Sequence, residues 1–409
     1  MVAIITTNSH YGHDYLEDRN LYPDNRATLT VGSNQEYSKI KDAIDAANSG
    51  DTITVMGGMY YERLFITKTL TIIGDGSTNT ILNGSFTGDV MNIKADNCII
   101  QGFTITGSGG GSIAWGGISI ESNSNEIIEC NLSGNRGSGL RFWESNNNKI
   151  KDCLCNNNRQ SGIYISDSDG YTIENSKCNS NLKNGITLSD TSDITIKNTD
   201  CEKNGHSGID MSMTENSDFS DSSFNYNKDW GFRIRLSTDN SFRNNDLISN
   251  RKHGVFLFFG CNNNEFVQNN FIDNNMNGIQ ASDNGSNNKW DDGSKGNYWS
   301  EHKGKDSDEN GIFDNPYKID GSSGSKDNRP LIVDKDNVLD SGNSFFLILG
   351  IVIGLILIII VILIIISIIV MKRRKKQKGV ESNNQKTNQQ QYPQYQQQQQ
   401  QYPQYQQQR

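Results

Sequence analysis

Eight glycines set the terms for this chain. Gly117, Gly139, Gly162, Gly185, Gly208, Gly231, Gly254 and Gly278 are separated by 22, 23, 23, 23, 23, 23 and 24 residues. Each is followed by an apolar residue, and usually by another two positions later. Three further ladders keep the same period. One runs Ile127, Ile150, Ile173, Ile196, Phe219, Phe242, Phe266; another Leu132, Cys155, Cys178, Cys201, Phe224, Leu247, Phe271; the last Asn135, Asn158, Asn181, Asn204, Asn227, Asn250, Asn274. A shared period of this length predicts a β-solenoid: coils of about three short strands, stacked about 4.8 Å apart around a thin continuous core. A hydrophobic content of only 34% suits a narrow core better than a broad one. The asparagines are expected at turns, where they tolerate left-handed backbone angles and bond to neighbouring coils.

The flanking sequence predicts how such a rod would be closed. Residues 1–36 read as irregular. In "YSKIKDAIDAANSGD", Tyr37, Ile40, Ala43, Ile44 and Ala47 fall at helical spacing, so a helix over 38–48, ended by Gly50, would cap the first coil. The segment 51–107 fits three or four less regular coils, giving about eleven in all, and "GSGGGSIAWGG" reads as an inserted loop. The solenoid with its N-terminal cap is placed at 37–286, a C-terminal cap at 287–334, and a linker at 335–344.

Residues 345–370 are 26 apolar or small residues without a charge, enough to predict a transmembrane α-helix. "MKRRKKQKG" follows, which predicts a single-pass protein with its ectodomain outside the cell membrane and its C-terminus in the cytoplasm. The start, "MVAIITTNSHYGHDYLEDRN", lacks the features of a signal peptide. A truncated start and a span acting as its own signal both remain open. Residues 371–409 are basic, then rich in Gln and Tyr, and read as a disordered tail that self-associates, binds an adaptor or is inert.

The net charge is −9 although the tail is basic, so the ectodomain is acidic. This argues against nucleic acid as a partner. It also disfavours polyanionic sugars unless a local basic patch or metal ions intervene.

Side chains that leave the glycine ladder on the solvent side are the candidate site. Two places after the glycines stand Ser119, Arg141, Tyr164, Thr187, Asp210, Arg233, Phe256 and Gln280; four places after stand Glu121, Trp143, Ser166, Ser189, Ser212, Arg235, Phe258 and Ser282. Arg141, Trp143, Tyr164, Asp210, Arg233, Arg235, Phe256 and Phe258 then share one face, with aromatic rings to stack on sugars and charges to fix them. Asp210 is the candidate catalytic group, with Arg233 and Arg141. A glycosidase needs a second carboxylate, for which Asp190 is the nearest in sequence, and an arginine one coil away favours the ionised carboxylate, the wrong state for a general acid.

Asp306, Asp308, Asn310, Ile312 (through its carbonyl) and Asp314 fall at calcium-loop positions one, three, five, seven and nine, with Gly311 at the sharp turn. Tyr317 occupies the twelfth position, so a bidentate ligand must come from elsewhere, Asp320 being one candidate. A structural Ca²⁺ is expected there. Cys155, Cys178 and Cys201 lie in an inward ladder, and Cys130 and Cys153 at a turn position filled elsewhere by Ser, Thr or Asn. They read as buried free thiols.

The stretch "YSKIKDAIDAANSGDTITVMGGMYYERLFITKTLTIIGDG" resembles the opening of NosD-type right-handed parallel β-helix proteins. The "NGI…I" coils resemble their repeats, and "NKWDDGSKGNYWSEHKGKDSDENGIFDNPYKIDG…DNRPL" resembles the segment that closes the helix in that family. The likeness spans 37–332. It implies an all-β, right-handed parallel β-helix, an exported location, a similar Asp-rich closing loop, and an association with copper-site assembly in nitrous-oxide reduction and, more broadly, with carbohydrate binding and sugar hydrolysis. Copper is not expected here: His10, His13, His206, His253 and His302 form no tight metal spacing within the coils.

Three readings follow. The first is a membrane-anchored protein binding a glycan or another cell-surface polymer. The second is a polysaccharide lyase or hydrolase using the Arg141–Asp210–Arg233 face. The third is a NosD-like copper-assembly factor.

Overall fold

The computed structural model describes residues 26–109 and 115–332. The expected transmembrane helix at 345–370, the linker before it, the cytoplasmic tail, the pair His10/His13 and the middle of the glycine-rich loop lie outside the described residues. No helix among the described residues is long and apolar enough to cross a membrane.

The described chain winds as an all-β parallel solenoid of right-handed type. Each coil contributes to three faces. One face is an eleven-stranded sheet running from Thr28–Val31 to Glu265–Val267. A second, the long face, has ten strands from Leu64–Ile66 to Ala281–Asp283. The third face is narrow: it opens with Gly58–Tyr60, Thr80–Asn83 and Thr104–Thr106, and closes with Asp246–Ile248, Asn270–Ile272 and Tyr298–Trp299. Single bridges through Asn131, Leu154, Lys177, Asp200 and Ser223 connect its two ends.

The ladders stand in columns. Ile127, Ile150, Ile173, Ile196, Phe219, Phe242 and Phe266 pair residue on residue. The column extends backward through Ile100, Ile72 and Ile53 to Leu29. Thr28–Val31 is thus the first described strand, within the segment read from sequence as irregular; its Leu29 and Val31 alternate inward like the strands above.

Gly139, Gly162, Gly185, Gly208 and Gly231 share one geometry. A Cβ on Gly162 or Gly185 would lie 2.7 Å from the carbonyl oxygen of the next glycine in the column. Backbone there cannot yield without spreading the coils, so no side chain fits. Gly278 is not part of this column. Val255 pairs with Ala281, which puts Gln280 level with Gly254, while Gly278 lies in an open turn at φ +80. The last coil is two residues longer before its strand, so Ser282 stands beside Phe256, one row nearer the glycines than the spacing predicted.

Buried asparagine side chains join the coils. Asn158, Asn181, Asn204, Asn227, Asn250 and Asn274 each accept a hydrogen bond at Oδ1 from the backbone N–H of the asparagine one coil before, at 2.8–3.1 Å. Gln280 ends the series, its Oε1 accepting from both Asn274 N and Nδ2. The left-handed backbone falls not on these residues but on the ones just before: Asn157, Ser180, Lys203, Tyr226 and Ser249. The ladder asparagines are held by their amides, and the conformational burden passes to neighbours nearer the surface.

Both ends are closed. Helix Ile40–Ala46 packs against Leu64–Ile66, the edge strand of the long face. Glu62 accepts from the N–H groups of Ile40 and Lys41, and Lys68 Nζ donates to the carbonyls of Ile44, Asp45 and Ala47. The lysine ends the helix ahead of the expected Gly50. At the other end the core columns finish in stacked rings: Phe266 on Trp290 at 4.4 Å, Phe271 on Trp299 at 4.2 Å, and Trp299 on Tyr317 at 4.0 Å. Asp327, fully buried beneath them, accepts from Asn297 N, Trp299 Nε1 and Arg329 N.

Candidate functional site

Strands of the long face alternate in and out, and parallel register aligns their outward residues between coils. One outward column runs Ser119, Arg141, Tyr164, Thr187, Asp210, Arg233, Phe256 and Ser282. Beside it run Trp143, Ser166, Ser189, Ser212 and Arg235. These columns are those the glycine spacing predicted, except at the last coil.

The candidate residues divide into two groups. Arg141 lies over the Trp143 ring, with its guanidinium carbon 5.3 Å from the ring centroid, and reaches Glu121 at 3.9 Å. Tyr164 is the next residue in its column. Asp210 is three coils beyond Arg141, about 14 Å along the axis. The face Arg141–Asp210–Arg233 is therefore not one constellation; Asp210 and Arg233 meet, and Arg141 does not join them.

The second group is dense. Arg233 Nη1 and Arg235 Nη2 each lie 3.1 Å from a different oxygen of Asp210, whose side chain is only 14% exposed. Phe256 packs on Phe258 at 4.6 Å, and the Arg233 guanidinium sits 5.3 Å from the Phe258 ring. A third column, the residue before each glycine, completes the patch. Ser138, Ser161, Asn184 and Ser207 fill it early, and all are buried. Then Trp230 and His253 take it over. Trp230 lies 6.0 Å from Phe256 and 5.4 Å from the Arg233 guanidinium; His253 lies 5.2 Å from Phe256. Lys252 covers the Trp230 ring at 3.9 Å and pairs with Asp229 at 2.8 Å.

Three successive coils thus present Ser207, Asp210 and Ser212; Trp230, Arg233 and Arg235; His253, Phe256 and Phe258. Trp230 was not singled out from sequence, and His253 was named there only among the histidines weighed for metal binding. Burial pushes the His253 pKa below the ordinary imidazole value, against the pull of Asp320. Asn275 Nδ2 lies 3.3 Å from His253 Nε2. Donation by that amide makes Nε2 the acceptor and leaves the proton on Nδ1.

No second carboxylate is paired with Asp210 among the described residues. Asp190 stands level with Asp167 and Met213, one coil back and three places further along the strand. The two guanidiniums occupy both Asp210 oxygens, an arrangement suited to holding a rigid charged surface rather than moving a proton.

At the C-terminal cap, Asp306, Asp308 and Asp314 offer carboxylate oxygens within 4.8 Å of one another. Asp306 accepts from Asn310 N and Gly311 N; Asn310 Oδ1 accepts from Ile312 N; Asp314 accepts from Ser307. Asp320 is not in this group, being bridged to Ser282 at the end of the long face. Tyr317 is occupied with Trp299 and Glu301.

For copper, the described donors fit poorly. All seven cysteines are free and buried, and burial pushes the Cys130 thiol up to about 12, away from the thiolate that binds metal. His302 packs on Phe313 and Tyr317, and His253 on Phe256. Among the described residues no group of three metal-binding side chains includes a histidine.

A family model described as periplasmic copper-binding protein (NosD) matches residues 44–304. No match is found among curated proteins. Among solved structures, the Azotobacter vinelandii mannuronan C-5 epimerase AlgE6 A-module is similar with a TM-score of 0.51 and 18% identity, over 64% of this chain and 83% of that one. The Dettilon tailspike protein gp208 gives 0.47 and 15%, over 64% and 62%; pectate lyase Pel9A gives 0.46 and 12%, over 69% and 82%. At these identities the likeness is one of fold.

Proposed function

The chain belongs to the NosD family, and from that premise we propose that it binds a polysaccharide or related cell-surface polymer along the long face, as a membrane-anchored protein facing outward. The observation that carries this reading is the lattice of outward side chains on three consecutive coils. Aromatic rings at Trp230, Phe256 and Phe258 surround guanidiniums fixed by Asp210. Rings of this kind stack on the apolar faces of sugars, and the fixed polar groups orient them. Arg141, Trp143 and Tyr164 extend the same face toward the N-terminal end. The mannuronan C-5 epimerase A-module, whose fold this chain shares, acts on a polysaccharide, which suits the reading.

Binding without turnover is favoured over a hydrolase because Asp210 is doubly ion-paired and, among the described residues, has no carboxylate partner. A copper-assembly role has no donor set to support it among the described residues. The apolar span 345–370 and the basic "MKRRKKQKG" after it support the anchor and its orientation. The loop with Asp306, Asp308, Asn310, Ile312 and Asp314 is proposed to hold a structural Ca²⁺, since hard oxygens at this spacing suit that ion.

The test is retention of the purified chain on immobilised polysaccharides, with and without chelator. Binding to at least one polymer, weakened by Phe256→Ala and accompanied by no release of sugar, is the expected result. A correctly folded protein that binds none of a broad panel would overturn the reading.

A further inference from the structure

The patch formed by Asp210, Trp230, Arg233, Arg235, His253 and Phe256 has far more hydrogen-bond donors than acceptors. Six buried side-chain polar atoms among the described residues lack a partner, and four of them are here: Trp230 Nε1, Arg233 Nε, Arg235 Nε and His253 Nδ1. All four are N–H donors once the His253 proton is on Nδ1. Two guanidiniums bring ten N–H bonds between them, and Asp210 engages one nitrogen of each. Lys252 is matched by Asp229. Arg233, Arg235 and Lys252 are balanced in charge by Asp210, Asp229 and, at the His253 edge, Asp320, so the patch is neutral in a chain whose net charge is −9.

Buried donors without acceptors are costly, and clusters of them mark sites completed by a ligand. What this one lacks is acceptor oxygens carrying negative charge. Guanidiniums present a planar fork that matches a carboxylate, and rings at Phe256, Phe258 and Trp230 flank it. Resting on the glycan-binding reading, we propose that this patch is a subsite for a carboxylated sugar residue, so that the polymer recognised is a uronate-type acidic polysaccharide. A sugar carboxylate engages the free terminal nitrogens of Arg233 and Arg235, and the ring it belongs to lies against Phe256. The acidic remainder of the chain confines the anion to this patch instead of binding it everywhere.

The test uses the full chain in detergent solution and three polymers: polygalacturonate, the same backbone with its carboxyls methyl-esterified, and dextran sulfate. Polygalacturonate is expected to bind at least about tenfold more tightly than the ester and than dextran sulfate, the scale of losing charge-assisted hydrogen bonds. Arg233→Gln and Phe256→Ala are each expected to weaken that binding about tenfold. Lys149→Gln, on the opposite face and paired with Glu126, is expected to leave it unchanged. Near-ultraviolet dichroism of the buried Trp290 and Trp299 reports that each variant is folded. Equal binding of polygalacturonate and its ester would overturn the anionic subsite while leaving glycan binding standing. Equal binding of dextran sulfate would overturn it in favour of unspecific charge attraction. No binding to these polymers, with neutral polysaccharides retained, would also overturn it; no binding to any polysaccharide would overturn both readings.

Discussion

Replacing Asn204 with alanine tests the element on which the whole surface depends. Asn204 is fully buried at a turn. Its Oδ1 accepts from Asn181 N at 2.9 Å and from Asn181 Nδ2 at 3.2 Å, and its own Nδ2 donates to Asn227 Oδ1 at 3.1 Å. Alanine removes all three bonds. Asn227 Oδ1 keeps a partner, because Asn204 N still donates to it at 3.0 Å. Asn181 loses the acceptor for its backbone N–H, and Asn181 is 1% exposed, so water does not replace it. An orphaned buried donor costs about 1–3 kcal/mol, and the side-chain donor of Asn181 adds a smaller amount. The expected loss is about 2–4 kcal/mol. Urea denaturation followed by tryptophan fluorescence reads the total. Amide hydrogen exchange reads the place: protection at Asn181 should fall at least tenfold while protection near Ile53 is retained, since coils of a solenoid couple mainly to their neighbours. Asn277→Ala is the comparison, an exposed asparagine whose side chain makes no ladder bond, and should change stability by less than about 0.5 kcal/mol. If Asn204→Ala and Asn277→Ala behave alike, the asparagine ladder is decoration and the columns are held by apolar packing alone.

Gly185→Ala places a Cβ 2.7 Å from both Gly208 O and Cys201 Cβ, so it should destabilise by at least about 2 kcal/mol in urea; Gly324→Ala, at φ +71 with open space around it, should cost only about 1 kcal/mol, and equal losses would remove the steric reason for the glycine column. Burial pushes the Asp327 carboxyl up to about 6, against the N–H groups it accepts from. Because the folded value lies above the unfolded one, its stabilisation is complete below about pH 4 and is lost as pH rises through 6. That loss amounts to about 3 kcal/mol, so Asp327→Asn should flatten this part of the stability profile, and parallel profiles for the two proteins would refute the assignment.

The columns were legible because in a parallel solenoid one turn of sequence equals one step in space. Ile150, Ile173 and Ile196 needed nothing but counting. The outward columns were legible for the same reason, up to the point where the count slips. That slip left no trace: the run "GIQASD" alternates from Ile279 as the count requires, whereas the structure sets Ala281 level with Val255 and the buried Asp283 level with Leu257. Trp230 and His253 were hidden differently. Their column holds Ser138, Ser161, Asn184 and Ser207 in earlier coils, which read as turn residues, so the position looked spent. The change from serine to tryptophan and histidine at a fixed step was the available signal. The fork of Arg235 onto Asp210 carries no such signal, because it joins neighbouring columns diagonally and depends on side-chain rotamers.

Where the patch lies along the rod follows from the core beneath it. Up to Cys201 the inward columns hold mostly isoleucine, leucine and cysteine; from Phe219 onward they hold Phe219, Phe224, Phe232, Phe242, Phe266 and Phe271. Phe219, Phe242 and Phe266 stack at 4.8 and 4.5 Å, with their planes nearly parallel, and pass directly into Trp290. A stack of rings is stiff, and it lies under the same coils that carry Trp230, Arg233, Arg235 and Phe256. The end of a solenoid is where coils fray, since the last one has a neighbour on one side only. A site two coils from that end would be a poor choice unless the end were clamped. The clamp is what the closing segment supplies: Trp290 and Trp299 over the last rings, Asp327 receiving the final turn asparagine, and Asp320 bridged to Ser282 on the edge strand of the long face. The cap and the site are therefore coupled through the last three coils, and a change that loosens the cap reaches Phe256 and His253 before it reaches Arg141.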